Sequence, residues 1–557
     1  MRRFRFLLAS LSVAAWVAVP ALADDPGYTK IDAMVPVASD VRLDTKIYVP
    51  TATAPTDGWP LIVRHHGGGS NKDNDYDTKY ALAAIPRGFA VAMYSVRGHG
   101  NSEGSFDFFG PESVSDFSVV LDWIDTNVSS IDTNNVGASG ISQGGGMSLL
   151  PAALDPQGRI KAVAVGNTFD SLNHALNPND CFKFSFATGI FAAAYKSAGA
   201  RTDDELAVRW GATWYTDTED TTLPPWAGPF PPPSLPYLFN STTNEAAGRS
   251  PLSYVSNLIE RQIPVFWSNS WEDQLFPGDH PEKILAPLSD AGIPVHYWFA
   301  SGGHAAGPND PADEAGKEAA MLDWFDEFLR GVPHGYASGV RPVVDFAQRV
   351  PDGSGWSHKQ ASSWPPPSAP STFYSQADGS LGSTPGESNV GVIANDGANA
   401  NIANDPIVAG EVPGRIPFSQ VGTGIKGLPE EGTPVDTASF VSGPLANTLE
   451  VTGSPRVEVE VSKSTAQTVL QINSKVWDIA PDGTAAMINR GCTSGPPPTD
   501  GKISLDLWPN SHIFKAGHRI RLDISTVDFP TFEADKEPSV SFLGPITRVT
   551  LPIAASV

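Results

Sequence analysis

Cysteine, positive charge and long hydrophobic runs are all scarce in this 557-residue sequence. Its two cysteines, Cys181 and Cys492, lie far apart without zinc-ligand spacing, so they exclude a disulfide-rich scaffold and leave open whether they pair. The 37 lysines and arginines are outnumbered by 61 acidic residues, and this acidity opposes binding to nucleic acid or anionic lipid. Beyond the first 23 residues, no run is long and apolar enough to span a bilayer. We therefore expect neither nucleic-acid nor membrane partners, while the oligomeric state stays open.

The first 23 residues have the layout of a cleavable secretory signal peptide. Arg2, Arg3 and Arg5 form a basic start, residues 6–19 form an apolar stretch, and Ala21-Leu22-Ala23 resembles a cleavage site. The apolar stretch is shorter than the about 20 residues that a membrane anchor needs. A signal peptide over residues 1–23 predicts a secreted or periplasmic protein, and losing its three arginines takes the net charge from −24 to −27.

The rest of the chain divides into an α/β part and an all-β part. Short β-rich runs alternate with helical stretches, which predicts a mainly parallel sheet and a catalytic domain over residues 24–340. An aromatic and proline-rich stretch at about 167–258 interrupts this rhythm and predicts an inserted cap over the active site. We expect a Pro-rich linker over residues 341–371. Short alternating runs over residues 372–557 then predict a β-sandwich or jelly-roll domain.

The run Gly140-Ile141-Ser142-Gln143-Gly144 is the strongest indication of chemistry. A strand-like run precedes it and an apolar stretch follows, the pattern of a strand that turns sharply into a helix with a serine at the turn. The sequence therefore predicts Ser142 as a nucleophile. Residues 100–104 repeat the G-x-S-x-G pattern around Ser102, but polar residues separate them from the preceding strand and no apolar helix follows. This context favours Ser142.

A serine nucleophile needs a histidine base, and the base needs an acid that orients it. In α/β-hydrolases the two partners follow the serine along the chain, the acid before the histidine. Asp273 lies just beyond a predicted strand at 264–268, and His304 lies in a loop of small residues after a predicted strand at 294–300. The sequence predicts these two residues as the partners of the serine, with Glu272 as the alternative acid.

An oxyanion hole needs two donors aimed at the developing charge. The Gln143 backbone N–H is expected to be one of them. The run His65-His66-Gly67-Gly68-Gly69 follows a predicted strand and permits close backbone approach, so an N–H of Gly67 or Gly68 is expected to be the other. The alternative is that this run is an ordinary flexible turn.

Aromatic side chains are expected to supply the substrate pocket. The candidates are Trp210 and Trp214 in the predicted cap, and Trp271 two residues before the predicted catalytic acid. The alternative is that most aromatics of the cap form its own core.

The sequence resembles the cocaine esterase and X-Pro dipeptidyl-peptidase family of α/β-hydrolases over nearly all of its length beyond residue 23. The segments that carry the resemblance are Val96–Gly104, the Ser142 turn, Trp271–Asp273, Gly303-His304, Gly453–Val457, Ala480–Gly483, Ala516–Ser525 and Phe529-Pro530. The resemblance implies an α/β fold, namely an α/β-hydrolase domain with an inserted helical cap, plus a C-terminal all-β jelly-roll domain. It also implies that the segment around Ser102 is a structural loop.

This chain departs from the family pattern at two places that concern the oxyanion. Relatives commonly carry tyrosine where this chain has Gln143, and another tyrosine in the loop that here reads His66-Gly67-Gly68-Gly69. Tyr76 lies several residues further on and is a candidate phenol. The identity of the oxyanion donors therefore stays less determined than the triad.

These observations together predict a secreted serine hydrolase that cleaves carboxylic esters, or activated amides, through an acyl-enzyme. Its expected partner is a small-molecule ester or a short peptide, and the chemistry requires no metal or other cofactor. The first alternative is an X-Pro dipeptidyl-peptidase or α-amino acid ester hydrolase, which must bind a free amino group through acids such as Glu272, Asp279, Asp217 or Glu219. A non-catalytic surface-binding protein ranks last.

Overall fold

The computed structural model describes residues 27–183, 186, 199–203, 247–304, 310–350, 355–395, 424–426, 437–463, 468–528, 531–532 and 539–554. Within these residues no helix has the length and apolar character needed to cross a bilayer. The predicted signal peptide lies outside the described residues, as do most of the predicted cap and its Trp210 and Trp214.

A ten-stranded sheet organises the first part of the described chain. Its strands are β1 (Tyr28–Ala38), β2 (Val41–Pro50), β3 (Trp59–His65), β4 (Ala90–Tyr94), β5 (Ile131–Ile141), β6 (Ile160–Gly166), β7 (Val265–Ser270), β8 (Val295–Ala300), β9 (Val344–Arg349) and β10 (Trp356–Ala361). They lie in the order β1-β2-β4-β3-β5-β6-β7-β8-β9-β10. Neighbours from β4 to β9 are parallel, whereas β1, β2 and β10 pair antiparallel. The carboxyl ends of β3, β5, β7 and β8 therefore meet at one edge, where ligands bind in such sheets.

Helices cover both faces of this sheet. They are α1 (Asp75–Ala84), α2 (Pro111–Asn127), α3 (Gln143–Leu154), α4 (Leu172–Leu176), α5 (Val255–Glu260), α6 (His280–Asp290) and α7 (Pro311–Arg330), with 3₁₀ turns at Ile85–Arg87, Pro178–Asp180 and Pro251–Tyr254. Side chains alternate between faces along a strand. Accordingly Val63 joins a buried cluster with α2, α3 and α6, and its neighbour Ile62 joins a second cluster with α1 and α7. The expected α/β layering is confirmed.

Residues 341–371 differ from the predicted linker. Twelve of them form β9 and β10, six residues in each strand, and these strands extend the first sheet beyond β8. β9 pairs in parallel with β8 and five of its six residues are buried, so it belongs to the core of the catalytic domain. Glycine and proline on both sides of these short strands make the segment look like a linker in the sequence.

The second part of the described chain is all β. Its strands are β11 (Ser368–Ser375), β12 (Ser380–Gly382), β13 (Gly391–Asn395), β14 (Gly424–Lys426), β15 (Thr437–Ser442), β16 (Leu449–Gly453), β17 (Arg456–Lys463), β18 (Ile472–Ile479), β19 (Thr484–Thr493), β20 (Lys502–Asp506), β21 (Asn510–Phe514), β22 (Arg519–Ser525), β23 (Ser539–Leu543) and β24 (Arg548–Ala554). Most of their pairings are antiparallel. Inward-facing residues such as Val457, Val476 and Leu522 are fully buried in one apolar core. The expected all-β C-terminal domain is confirmed.

The two domains are joined by a disulfide and by buried polar contacts. Cys181 directly follows the 3₁₀ turn at Pro178–Asp180. It forms a disulfide bond with Cys492 in β19, and the two Cα atoms lie 6.2 Å apart. The sequence alone leaves open whether these two cysteines pair. In addition, the Gln348 side chain of β9 donates to Ser511 Oγ of β21 over 2.9 Å. The β domain is therefore attached directly to the core of the catalytic domain.

Candidate active site

Ser142 occupies a sharp turn between β5 and α3, and the turn depends on glycine at both flanks. Its φ of 59° lies in the left-handed region, which non-glycine residues rarely adopt. A Cβ on Gly140 would lie 2.4 Å from the Gly144 backbone, and a Cβ on Gly144 would lie 2.4 Å from His65 O. The backbone is thus packed too closely for a side chain at position 140 or 144. This is the geometry that raises a serine hydroxyl above the edge of the sheet.

His304 links the serine to Asp273. Its Nε2 lies 2.9 Å from Ser142 Oγ, and its Nδ1 lies 2.8 Å from Asp273 Oδ2. A neutral imidazole that donates from Nδ1 to the carboxylate presents a lone pair at Nε2 to the hydroxyl. The three predicted residues, which come from the loops after β5, β7 and β8, are therefore within hydrogen-bonding distance in the expected order.

Asp273 is held rigidly by its own loop. Its Oδ1 accepts the backbone N–H groups of Leu275 and Phe276, both over 2.9 Å, while Oδ2 is left to His304. The carboxylate is fully buried, and the Phe276 ring packs edge-on against the imidazole with centroids 5.1 Å apart. Two fixed donors on one oxygen set the orientation of the other oxygen towards the histidine.

The neighbouring acid Glu272 has a different environment. Its Oε1 accepts from Arg349 of β9 over 2.9 Å, and its side chain is almost fully buried. Burial raises the pKa of Glu272 to about 7, against the opposing effect of the Arg349 cation. The structure therefore brings Asp273, and not Glu272, to the imidazole.

The predicted oxyanion donors lie beside the serine. Gln143 is the first residue of α3, whose N-terminal end carries the partial positive charge of the helix dipole. A Cβ on Gly67 would lie 3.8 Å from Ser142 Cβ, so the glycine run passes next to the hydroxyl. Ser70 N donates to Gly67 O over 3.2 Å, which closes a turn with Gly68 at its centre.

His66 fixes the first peptide of this turn. Val96 N–H donates to His66 Nε2 over 2.9 Å, which leaves Nδ1 to donate to Gly67 O over 2.8 Å. Burial lowers the pKa of His66 to about 4, which keeps the ring neutral. The nearby phenol Tyr76 instead donates to Glu314 over 3.0 Å. The glycine run is thus a tethered turn.

Trp271 does not have the environment of a substrate-binding residue. It is 4% exposed, its indole stacks on Phe299 with ring centroids 4.4 Å apart, and its Nε1–H donates to Ala347 O over 2.6 Å. The side chain packs into the core between β8 and β9, which favours a structural role, and substrate binding by Trp271 stays a prediction. Trp210 and Trp214 lie outside the described residues.

The second G-x-S-x-G serine, Ser102, has a structural environment. It is fully buried, donates to Ser95 O over 2.6 Å and accepts Asp44 N–H over 2.8 Å. The bond with Asp44 holds the loop against β2, and the bond with Ser95 ties it to the residue that follows β4, which agrees with the expected structural loop.

A buried network of acids and histidines lies behind the Asp273 loop, and sequence reasoning missed it. His174 bonds through Nδ1 to Asp170 over 2.8 Å and through Nε2 to Asp279 over 3.1 Å, and His280 bonds to Asp170 as well. Asp170 and His174 lie four residues apart, but their bonds to Asp279 and His280 join positions more than 100 residues apart, so no local motif marks the network. Asp170, His174 and His280 have the side-chain types of a metal site, with ligand atoms within 4.8 Å of one another. Another such group consists of Asp323, Asp326 and His334.

Comparison with family models gives two matches along the chain. Residues 39–306 match the X-Pro dipeptidyl-peptidase (S15 family) model, and residues 342–541 match the model of the X-Pro dipeptidyl-peptidase C-terminal non-catalytic domain. The matched ranges contain Ser142, Asp273 and His304 in the first model and most of the β domain in the second.

Individual relatives are more distant. Cocaine esterase of Rhodococcus sp. (strain MB1 Bresler) is 23% identical over 558 residues, which cover 90% of this chain and 91% of the relative. A putative serine esterase of Mycobacterium bovis is 25% identical over 290 residues, which cover 46% of this chain and only 42% of the relative. Among solved structures, a selenomethionine-labelled α-amino acid ester hydrolase superposes with a TM-score of 0.69 at 17% identity, covering 98% of this chain and all of the other. The structural likeness concerns the fold of both domains.

Proposed function

The chain belongs to the X-Pro dipeptidyl-peptidase (S15) family of serine hydrolases, which act on esters or peptides, and we propose that it is an exported hydrolase of carboxylic esters. The observation that carries the proposal is the continuous hydrogen-bonded line from Ser142 Oγ through His304 to Asp273 Oδ2, at 2.9 and 2.8 Å. Export is supported by the signal-like residues 1–23 and by the disulfide between the domains, since disulfides persist mainly in oxidising compartments.

The proposed reaction proceeds through an acyl-enzyme. His304 Nε2 removes the proton as Ser142 Oγ attacks the ester carbonyl, and Asp273 stabilises the imidazolium that forms. The backbone N–H of Gln143 and one N–H of the Gly67 turn stabilise the oxyanion, a contribution of about 3–4 kcal/mol for each donor in such sites. The imidazolium then protonates the leaving alcohol, and water attacks the acyl-enzyme with the same histidine as base.

Ester substrates are favoured over substrates with a free amino group because of the acids around the triad. Among the described residues, Glu272 is paired with Arg349, and Asp279 and Asp170 are paired with His174. After Asp273 the loop continues with the neutral Gln274 and then with the buried apolar residues Leu275 and Phe276. The remaining candidates, Asp217 and Glu219, lie outside the described residues.

The alternative is an X-Pro dipeptidyl-peptidase or an α-amino acid ester hydrolase, favoured by the family model and by the structural likeness to an α-amino acid ester hydrolase. A panel of p-nitrophenyl esters, aminoacyl esters and X-Pro anilides, run on the wild type and on Ser142→Ala, separates the two. We expect the highest kcat/KM with the simple esters. Equal or faster hydrolysis of Ala-Pro-p-nitroanilide would reverse the ranking.

A further inference from the structure

The loop after β7 joins Asp273 to a buried lysine through two consecutive peptide groups. The N–H groups of Leu275 and Phe276 donate to Asp273 Oδ1. The carbonyls of the same two peptides, Gln274 O and Leu275 O, accept from Lys183 Nζ over 3.1 and 3.0 Å. Each of the two peptide groups therefore donates its N–H to the Asp273 carboxylate and accepts the Lys183 ammonium at its C=O.

We infer that Lys183 is a positioning residue for the Asp273 carboxylate. The inference rests on the proposed function, in which Asp273 orients His304. Lys183 makes no contact with the reacting atoms in this arrangement, but its two bonds fix the planes of the two peptides that hold Asp273 Oδ1. The ammonium also polarises those peptides, which strengthens their N–H groups as donors to a charged acceptor.

Among the described residues, no carboxylate lies within ion-pair distance of Lys183 Nζ. The carbonyls of Gln274 and Leu275 are therefore its principal polar partners there. The residue is fully buried, and its ammonium lies 4.6 Å from the centre of the Trp508 ring of the β domain. Burial lowers the pKa of Lys183 to about 7, while the more distant Asp279, Asp273 and Asp170 act against this and Arg490 acts with it. A buried amine that keeps its proton near neutral pH is expected to need these carbonyls and carboxylates around it.

The β domain contacts both the segment that carries Lys183 and the loop that carries Asp273. Cys492 of β19 is disulfide-bonded to Cys181, two residues before Lys183. Two residues before Cys492 in the same strand, Arg490 Nη1 donates to Gln274 Oε1 over 2.7 Å. Strand β19 therefore anchors the segment that carries the lysine and also the residue that follows the catalytic acid. Through these contacts the C-terminal domain supports the orientation of Asp273.

The test compares Lys183→Met with Lys317→Met on the full-length protein, with Ser142→Ala as reference. Methionine keeps the apolar stem and removes the donors and the charge. Lys317 is a matched buried lysine on α7, bonded to Glu314 over 2.6 Å. With a p-nitrophenyl ester, we expect Lys183→Met to lower kcat by about 10- to 100-fold, the range that a small misplacement of a catalytic group produces, with KM changed less than threefold. Lys317→Met should leave both within twofold.

The pH profile separates positioning from a general loss of stability. The acid limb of kcat/KM reports the base of the free enzyme. In Lys183→Met it should move to higher pH, because a cation near the Asp273–His304 pair is lost and the pair holds its proton more tightly. Lys183→Gln restores a neutral donor, so it should recover part of kcat while its acid limb stays displaced to higher pH. The same variant replaces Lys183→Met in the test if the methionine protein does not fold.

The outcomes for the lysine and for the proposed function are distinct. A folded Lys183 variant with kcat within twofold of the wild type and an unchanged acid limb overturns the inference. An equal loss in Lys317→Met overturns it too, since any buried lysine would then have the same effect. If Ser142→Ala retains the wild-type kcat, the proposed function itself fails.

Discussion

Replacing Asp273 with asparagine tests the orientation of the imidazole, because the surrounding bonds dictate how the new amide must lie. Two backbone N–H groups, each 2.9 Å away, point at Oδ1 and need an acceptor there. The amide oxygen therefore takes the Oδ1 position, and the NH₂ group takes the Oδ2 position, 2.8 Å from His304 Nδ1. The imidazole must then accept at Nδ1 and carry its proton at Nε2, facing Ser142. In that tautomer it has no lone pair to receive the serine proton.

The expected loss follows from this wrong tautomer. Comparable replacements of a triad acid lower kcat by about 10⁴, which corresponds to about 5 kcal/mol of transition-state stabilisation. The fold should change little, since the asparagine keeps the shape and the two backbone bonds of Asp273. KM should stay within a few-fold, because the acid does not touch the substrate.

The assay is steady-state hydrolysis of a p-nitrophenyl ester at pH 8, with Glu272→Gln as the matched control. Glu272 is the adjacent acid and is paired with Arg349, so we expect its variant to keep kcat within about threefold. A Tm measurement accompanies both variants. If Asp273→Asn retains more than a tenth of the wild-type kcat, or if Glu272→Gln shows the larger loss, the assignment of the orienting acid is wrong.

Three further variants test the structural account. Ser102→Ala should leave ester hydrolysis unchanged and cost about 1–3 kcal/mol in unfolding free energy, because it removes two buried hydrogen bonds; a large loss of kcat would contradict this. Burial opposes protonation of His174, yet Asp279 and Asp170 raise its pKa to about 10. The stabilisation that protonated His174 gives the folded protein is therefore complete below pH 6.5 and disappears as the pH rises through 10. His174→Gln should therefore flatten the fall of Tm over that interval, and parallel curves would refute the network. Cys181→Ser should destabilise the protein by about 2–4 kcal/mol by calorimetry, and an unchanged Tm would count against its bond to Cys492.

Local backbone requirements made much of the site predictable. The glycines around Ser142 are visible in the sequence because the sharp turn admits no side chain at Gly140 or Gly144. Asp273 and His304 were predictable because parallel strands bring their carboxyl ends to one edge of the sheet. The two-domain α/β plus all-β division followed from the change in hydrophobic periodicity along the chain.

Contacts between distant parts of the chain were not predictable in this way. Trp271 looks like a pocket residue beside the catalytic acid, and only the packing of β9 and Phe299 shows why it is buried. The strands β9 and β10 are short and flanked by turn residues, so their pairing with the first sheet leaves no local signal. Likewise, nothing near Lys183 or Cys181 in sequence indicates the loop or the strand that each contacts.

The most direct test of the proposed catalytic serine is covalent labelling followed by intact-mass measurement and peptide mapping. A fluorophosphonate reacts with a serine that an adjacent imidazole activates, and the account predicts one adduct per chain, located on Ser142 and matched by loss of esterase activity. Ser142→Ala should take up no label, while Ser102→Ala should label at the wild-type rate. Labelling of Ser102, or unchanged labelling of Ser142→Ala, would show that Ser142 is not the nucleophile.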